Sequence, residues 1–168
     1  LAVAAGVREA LDAGVVITDG DVFERATKAD IVAFDKTGTL TTGEMRLHDA
    51  VGDDEALARA AAVERFADHP IGRAVTDGVD GETGLTVDDF ERHPGRGVSG
   101  VVSEGPRSSE RRGEPSTRVT VGRAALFAER DVPDAYRERY ERALDAGHVP
   151  AYVGCDGDVR GVLVAGDQ

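Results

Sequence analysis

The feature that most constrains this chain is the run DKTGTLT at residues 35–41, which directly follows the apolar residues 31–34. Four apolar residues bounded by polar ones predict a short buried strand. A carboxylate at the carboxyl end of such a strand lies where open α/β sheets place their chemistry. The glycine and small hydroxyl residues behind it allow a tight turn whose N–H groups can face an anion. The pattern therefore indicates that Asp35 can accept a phosphoryl group.

The same seven residues resemble, at every position, the phosphorylation motif of the P-type cation-transporting ATPases. The resemblance implies that Asp35 attacks the γ-phosphate of ATP and becomes an aspartyl-phosphate. It also implies that Asp35 and the backbone carbonyl of Thr37 bind Mg²⁺ and that Thr39 contacts phosphate. An Asx-type turn after a strand is the structural alternative for a single Asp-x-Thr-Gly. A match over seven residues makes that alternative the poorer interpretation.

A second group, Glu64, His69 and Pro70, has the spacing Glu-x-x-x-x-His-Pro. On its own, a histidine before a proline is more often a surface helix break than a ligand contact. In the heavy-metal-transporting subclass of P-type ATPases, the nucleotide-binding domain carries a His-Pro pair with a glutamate at this spacing, and these three residues resemble it. The resemblance implies that Glu64 hydrogen-bonds the adenine of ATP and that His69 orients its adenine or phosphate end.

The third group is a Gly-x-Gly formed by Gly95 and Gly97. Alone, such a pair more often marks a hairpin turn than a nucleotide site. It resembles the Gly-x-Gly loop of the same subclass, which follows the His-Pro pair after a similar gap, and glycines would let the backbone approach a nucleotide closely. The turn at Gly122 and Arg123 resembles a Val-Gly-x turn of that subclass. Arg123 departs from the small polar residue, often Asn, of many relatives.

The other three histidines receive no role from the sequence. His93 also precedes a proline, but the residue five positions before it is Asp88 rather than a glutamate, and the surrounding segment is β-like. We therefore expect His93 on the surface. His48 and His148 have no recognisable partners in the sequence.

The pattern of apolar residues predicts helices and strands along most of the chain. Helices are predicted at residues 1–13, 21–27, 53–66, 70–79, 123–130 and 133–146. Strands are predicted at residues 15–17, 31–34, 86–92, 98–103, 118–121, 149–154 and 159–164, with 44–48 extended and a hairpin turn at Asp156-Gly157. Residues 104–117 are rich in Ser, Arg, Glu, Gly and Pro, which predicts a mobile solvated loop.

Together with the resemblance, this order predicts an α/β fold. We expect a mixed β-sheet nucleotide-binding domain with flanking helices, inserted in part of a haloacid-dehalogenase-like, Rossmann-type phosphorylation domain. Residues 1–47 would form a stalk helix and the first part of the phosphorylation domain, and residues 48–164 the nucleotide-binding domain. Residues 165–168 would begin the return to the phosphorylation domain.

The chain is expected to be an excised piece, since Leu1 begins inside a helical pattern without an initiating Met. In the family, further segments carry the actuator domain, the membrane helices, and a phosphate-binding lysine and aspartates that complete the magnesium site. The expected partners are therefore ATP, the remainder of the same ATPase and, in the full-length protein, a heavy-metal cation. We expect this chain alone to bind nucleotide weakly and not to turn over ATP.

Composition narrows the partners further. The 168 residues carry 32 acidic and 20 basic side chains, a formal net charge of -12, which argues against nucleic acid as a partner. The acidic excess is also typical of proteins adapted to high salt, which gives the hypothesis of a halophilic source. Cys155 is the only cysteine, so no intrachain disulfide is possible, as suits a reducing cytosol. No apolar run reaches the roughly 18–20 residues of a membrane span. We expect the chain at the cytosolic face of the cell membrane.

Three functions fit the sequence. The first is the ATP-binding and phosphorylation-site part of a P-type ATPase that exports a heavy metal. The second is a phosphatase of the haloacid-dehalogenase type, although such enzymes usually have a second aspartate where this chain has Thr37. The third is a non-catalytic nucleotide-binding module. The transported metal is left open, because its specificity lies in membrane helices.

Overall fold

The computed structural model describes residues 2–34, 44–79, 84–105 and 115–167. The chain divides into two compact units, residues 1–35 and residues 36–168. None of the described helices is both long and apolar enough to cross a membrane.

The first unit contains two helices, α1 (Ala2–Asp12) and α2 (Val22–Ala26). Both were predicted, and Gly14 ends α1 with a φ of 79°, as a glycine C-cap does. The predicted strands at residues 15–17 and 31–34 are wrong, because both segments are non-regular and mostly exposed, with Ile31 85% exposed. A strand needs a neighbour to pair its backbone N–H and C=O groups, and the described sheet includes neither segment.

The second unit is built on one six-stranded sheet. Its strands are β1 (Met45–Gly52), β2 (Leu85–His93), β3 (Gly97–Glu104), β4 (Ser116–Gly122), β5 (Val149–Cys155) and β6 (Asp158–Asp167). They lie in the order β1-β6-β5-β4-β3-β2. All five pairings are antiparallel. The α/β fold class is thus confirmed, and the described sheet is antiparallel where a mixed sheet was expected. Two of its five pairings, β2–β3 and β5–β6, are short hairpins, which join antiparallel strands.

Helices cover both faces of this sheet. On one face, α3 (Asp54–Glu64) and α4 (Pro70–Gly78) pack over a core of alanine and valine side chains. On the other, α5 (Asp134–Asp145) and a 3-10 helix (Ala124–Phe127) cover an aromatic core around Tyr152. Tyr152 and Val153 are neighbours in β5 and join opposite cores, since successive strand side chains point to opposite faces.

Local signals in the sequence explain where these elements begin and turn. Asp53 caps α3 by accepting the Glu55 N–H at 3.0 Å, as its position before an alanine-rich run predicted. The β5–β6 hairpin turns at Asp156 and Gly157, whose φ values of 49° and 105° are those of a primed turn. The helix predicted at residues 123–130 is only the short 3-10 helix. The predicted loop at 104–117 lies largely outside the described residues, and its two ends belong to β3 and β4.

Candidate functional site

A cleft of about 280 Å³ lies in the second unit, where the ends of several elements meet. The end of α3, the start of α4, the β2–β3 turn, the end of β4 and the start of β5 contribute to it. Its apolar surface comes from Ile71, Val98, Val121, Pro150 and Ala151. An apolar cleft with a few convergent polar groups is the usual form of a small-molecule site.

Glu64, the last residue of α3, is the buried acid of this cleft. Its exposed fraction is only 5%, and burial raises the pKa of its carboxyl from 4.5 to about 7. Within the described part of the chain, the Oε2 atom has no hydrogen-bond partner. A buried polar atom without a hydrogen-bond partner lowers the stability of the fold. A ligand that hydrogen-bonds to Oε2 would remove this cost.

His69 is the N-cap of α4 and faces Glu64. The Gly72 N–H donates to its Nδ1 at 3.0 Å, which satisfies one of the free N–H groups at the helix start. Because Nδ1 accepts, the ring proton is assigned to Nε2. Nε2 lies 4.0 Å from Glu64 Oε2, too far for a hydrogen bond. Burial rather than this neighbour therefore controls the pKa of Glu64.

Gly72 is a residue of this site that the sequence analysis missed. A Cβ atom there would lie 2.9 Å from the Glu64 carbonyl oxygen and 3.0 Å from Glu64 Oε2. The glycine lets the first turn of α4 approach the end of α3 closely enough to bury the carboxyl. A glycine two residues after Pro70, inside a helix where it lowers stability, was the available signal.

Gly95 lies in the turn between β2 and β3, Gly97 is the first residue of β3, and both line the same cleft. The Arg96 N–H donates to the His93 carbonyl at 2.9 Å, and Pro94 followed by Gly95 with a φ of 70° is the pattern of a type II turn. Gly97 pairs with Gly122 of β4. A Cβ on Gly97 would lie 2.6 Å from the Gly122 Cα and in contact with the Val121 carbonyl oxygen, so only glycine fits.

The expectation that His93 is a surface residue is wrong. His93 lines the cleft with its side chain only 20% exposed, and its Nε2 lies 2.9 Å from the hydroxyl of the buried Ser99. The antiparallel pairing of β2 and β3 brings the two residues together, which local sequence does not reveal. The histidines of the two His-Pro pairs therefore line one cleft.

Three arginines line the cleft as well: Arg92, Arg96 and Arg123. The Arg92 guanidinium donates to the Phe66 carbonyl at 3.2 Å. The backbone N–H of Arg123 donates to the Arg96 carbonyl at 2.7 Å. Among the described residues that line the cleft, Glu64 is the only acid. The cleft is therefore basic in a chain whose net charge is -12.

Two of the predicted site residues belong to the motif at residues 35–41. Asp35 and Thr37 lie outside the described residues, so their predicted roles as nucleophile and Mg²⁺ ligands stay predictions. In the described ranges, no cluster of three or more His, Cys, Asp or Glu side chains could hold a metal ion.

Comparison with known proteins places this chain in a family. The model of the haloacid dehalogenase-like hydrolases matches residues 29–168. The chain is 34% identical over 176 residues to a probable copper-exporting P-type ATPase V of Mycobacterium tuberculosis, covering 99% of this chain and 21% of that protein. The chain spans about a fifth of the length of the curated relatives it matches.

Solved structures give the same picture. A catalytic CPx-ATPase domain superposes with a TM-score of 0.63 at 25% identity, over 95% of this chain and 51% of that domain. A second structure of that domain concerns its conformational changes on nucleotide binding. A zinc-transporting PIB-type ATPase superposes with a TM-score of 0.60 at 25% identity, over 99% of this chain and 26% of that protein. These matches favour a P-type ATPase over a phosphatase.

Proposed function

Because this chain belongs to the haloacid dehalogenase-like hydrolase family and, within it, to the heavy-metal P-type ATPases, we propose that its cleft binds ATP for phosphoryl transfer. The observation that carries the proposal is the convergence of Glu64, His69 and the Gly95–Gly97 turn on one apolar cleft. In the complete protein, the bound ATP would phosphorylate Asp35, and the energy released would drive a metal cation across a membrane.

The chemistry of Glu64 suits an adenine ring. Below its pKa of about 7, the carboxyl has one O–H donor and one carbonyl acceptor. The edge of adenine offers the complementary pair, an N6 amino donor and the N1 acceptor. When ionised, the carboxylate still accepts from the amino group. The apolar walls formed by residues such as Ile71 and Val121 would contact the flat faces of the ring.

The other groups at the cleft would orient the nucleotide. His69 directs its Nε2–H towards the same space as Glu64, and this donor suits a base nitrogen or a phosphate oxygen. The glycine turn lets backbone approach the ligand without a side chain between them. In this proposal the groups of the cleft hold the substrate, and Asp35 supplies the nucleophile.

Several finer features are part of this proposal. We propose Mg²⁺ as the cofactor of the phosphoryl transfer, with Asp35 and Thr37 among its ligands. When bound, the metal neutralises charge on the transferring phosphoryl group. Copper or zinc is proposed as the transported metal, since the related proteins are described as copper-exporting and zinc-transporting. The cytosolic face of the membrane is the proposed location.

The halophilic hypothesis also remains a proposal, supported by the net charge of -12. Salt screens repulsion among like charges, so the free energy of unfolding should rise between dilute buffer and molar salt. A chain that is fully folded and no more stable in molar salt would contradict this hypothesis.

Calorimetric titration with ATP tests the proposed site. We expect Glu64→Met, which removes both carboxyl oxygens at similar side-chain length, and His69→Asn each to weaken ATP binding by about tenfold, the loss of one to two hydrogen bonds. Asn keeps an acceptor at the helix N-cap, so the fold of the His69 variant is retained. Glu138→Met and His148→Asn are the matched controls, because neither residue lines the cleft. Unchanged ATP binding by both cleft variants, with their folds intact, would overturn the proposal.

A further inference from the structure

The charge at the mouth of the cleft is not explained by the binding of an adenine ring. Arg96 and Arg123 both line the cleft and both are exposed. Within the described ranges, neither guanidinium forms an ion pair. Arg92 differs, because its guanidinium donates to the Phe66 carbonyl. Two guanidinium groups without an ion-pair partner among the described residues therefore lie at the mouth of the cleft, in a chain whose net charge is -12.

The backbone fixes these two arginines next to each other. The Arg123 N–H donates to the Arg96 carbonyl at 2.7 Å, and the Arg96 N–H donates to the His93 carbonyl at 2.9 Å. Gly97 and Gly122 are paired and in close contact, so β3 and β4 meet without side chains between them. The two side chains thus start from backbone that is held by hydrogen bonds, and both are exposed.

We propose that Arg96 and Arg123 form a phosphate-binding rim that holds the phosphate chain of the nucleotide. This inference rests on the proposed function, since it assigns the charged part of the ligand in the same cleft. Guanidinium groups form paired, charge-assisted hydrogen bonds with phosphate oxygens. With the base at Glu64 and the phosphates at the rim, the cleft recognises both ends of the nucleotide.

The rim predicts a specific pattern of affinities. Adenosine, which has no phosphate, gains nothing from the two arginines, whereas AMP, ADP and ATP carry increasing negative charge. Because the rim is exposed, its contribution is screened by salt. The ratio of ATP affinity to adenosine affinity should therefore fall as the ionic strength rises.

Calorimetric titration of the full chain with ATP, AMP and adenosine tests the rim. We expect Arg96→Gln and Arg123→Gln each to weaken ATP binding by about three- to tenfold, while adenosine binding changes by less than about twofold. Arg123→Lys keeps the charge and should recover part of the loss. Arg142→Gln is the matched control, since it removes the same charge from α5, away from the cleft.

Two outcomes would overturn the rim. One is an equal change in ATP and adenosine affinity for the arginine variants, and the other is no change in either. Failure of the rim is distinct from failure of the proposed function. If Glu64→Met weakens ATP and adenosine alike while the arginine variants change neither, the cleft binds nucleotide without the rim. If no nucleotide binds the unaltered chain, both proposals are wrong.

Discussion

The chain contains two His-Pro pairs, His69-Pro70 and His93-Pro94, and they are built in opposite ways. The first begins a helix, with its ring accepting the Gly72 N–H at 3.0 Å. The second ends a strand and enters a tight turn, with its ring 2.9 Å from the Ser99 hydroxyl. Both histidines nevertheless line the same cleft. The comparison shows that the same dipeptide can start a helix or enter a turn, and that the surrounding fold determines which space each histidine faces.

The difference follows from what proline requires of its surroundings. At Pro70, the ring occupies the first turn of a helix, where a missing N–H costs nothing. At Pro94, the fixed φ serves the second position of a turn that Gly95 completes. The partners of the two histidines differ as well: His69 lies beside a buried carboxyl and His93 beside a buried hydroxyl. Because the partners differ, substituting the partner of one histidine tests that His-Pro pair without changing the other.

The largest effect is expected from Gly97→Val, at the start of the strand that follows the second His-Pro pair. The new side chain would meet the Val121 carbonyl and the Gly122 Cα, and the φ of 148° is strained for any residue with a Cβ. We expect the free energy of unfolding in urea to fall by about 3 kcal/mol or more. Gly95→Ala is the control, because its Cβ meets nothing within 4 Å, and its φ of 70° should cost only about 1 kcal/mol. Equal losses in the two variants would mean that β3 and β4 do not approach as described.

The next largest effect is expected in the pH dependence of stability. It arises from the carboxyl beside His69 and has no counterpart in the hydroxyl beside His93. The pKa of Glu64 is raised in the folded state from 4.5 to about 7. Folding therefore favours proton binding, and its stabilising contribution is complete below pH 4.5 and is lost as the pH rises through about 7. The change is about 3 kcal/mol. Unfolding free energies measured in urea across this pH range should show the loss, and Glu64→Gln should remove it. The same pH slope in the Gln variant would contradict the burial of Glu64.

Substitution of His69 should have an intermediate effect on stability. His69→Ala removes the N-cap of α4 and should lower the free energy of unfolding by about 1 kcal/mol. His69→Asn restores a capping acceptor and should stay within about 0.5 kcal/mol of the unaltered chain. Urea denaturation of the two variants measures the difference. If Asn and Ala were equally destabilising, the contact between His69 and Gly72 would not be a helix cap.

The smallest effect is expected from Ser99→Ala at the second pair. The variant loses one hydrogen bond, but the His93 ring is partly exposed and can bond to water instead. We expect a loss of about 0.5 kcal/mol in the free energy of unfolding. Because Ser99→Ala leaves the turn at Gly95 intact, it separates the histidine contact from the turn. A loss as large as that of Gly97→Val would show that the contact, rather than the turn, holds the second pair.

Most elements of the second unit were predictable because their signals are local. Asp53 before an alanine-rich run, Pro70 at a helix start and Asp156-Gly157 between two apolar runs each act within a few residues. The strands expected at residues 15–17 and 31–34 were wrong for a related reason. An apolar run supplies the side chains of a strand, but only a neighbouring strand supplies its hydrogen bonds.

The candidate site was predictable in part. Glu64, His69, Gly95 and Gly97 were chosen from the sequence, and the structure brings all four into one cleft. Gly72, His93 and Arg96 were missed, because their importance depends on contacts with distant segments. His48 and His148 show the same limit: they are 100 residues apart, yet their rings stack with centroids 4.5 Å apart. No local pattern encodes such a pairing.

The sequence by itself determined the family, through the seven residues that begin at Asp35, and most helix starts and turns. Such features depend on residue types at fixed spacing, which a linear chain displays directly. Only the tertiary structure decided that Glu64 is buried with a raised pKa, that the histidines of both His-Pro pairs share a cleft and that its rim is basic. Burial, desolvation and the meeting of β3 with β4 arise from packing between segments far apart in the chain, and local sequence carries no record of them.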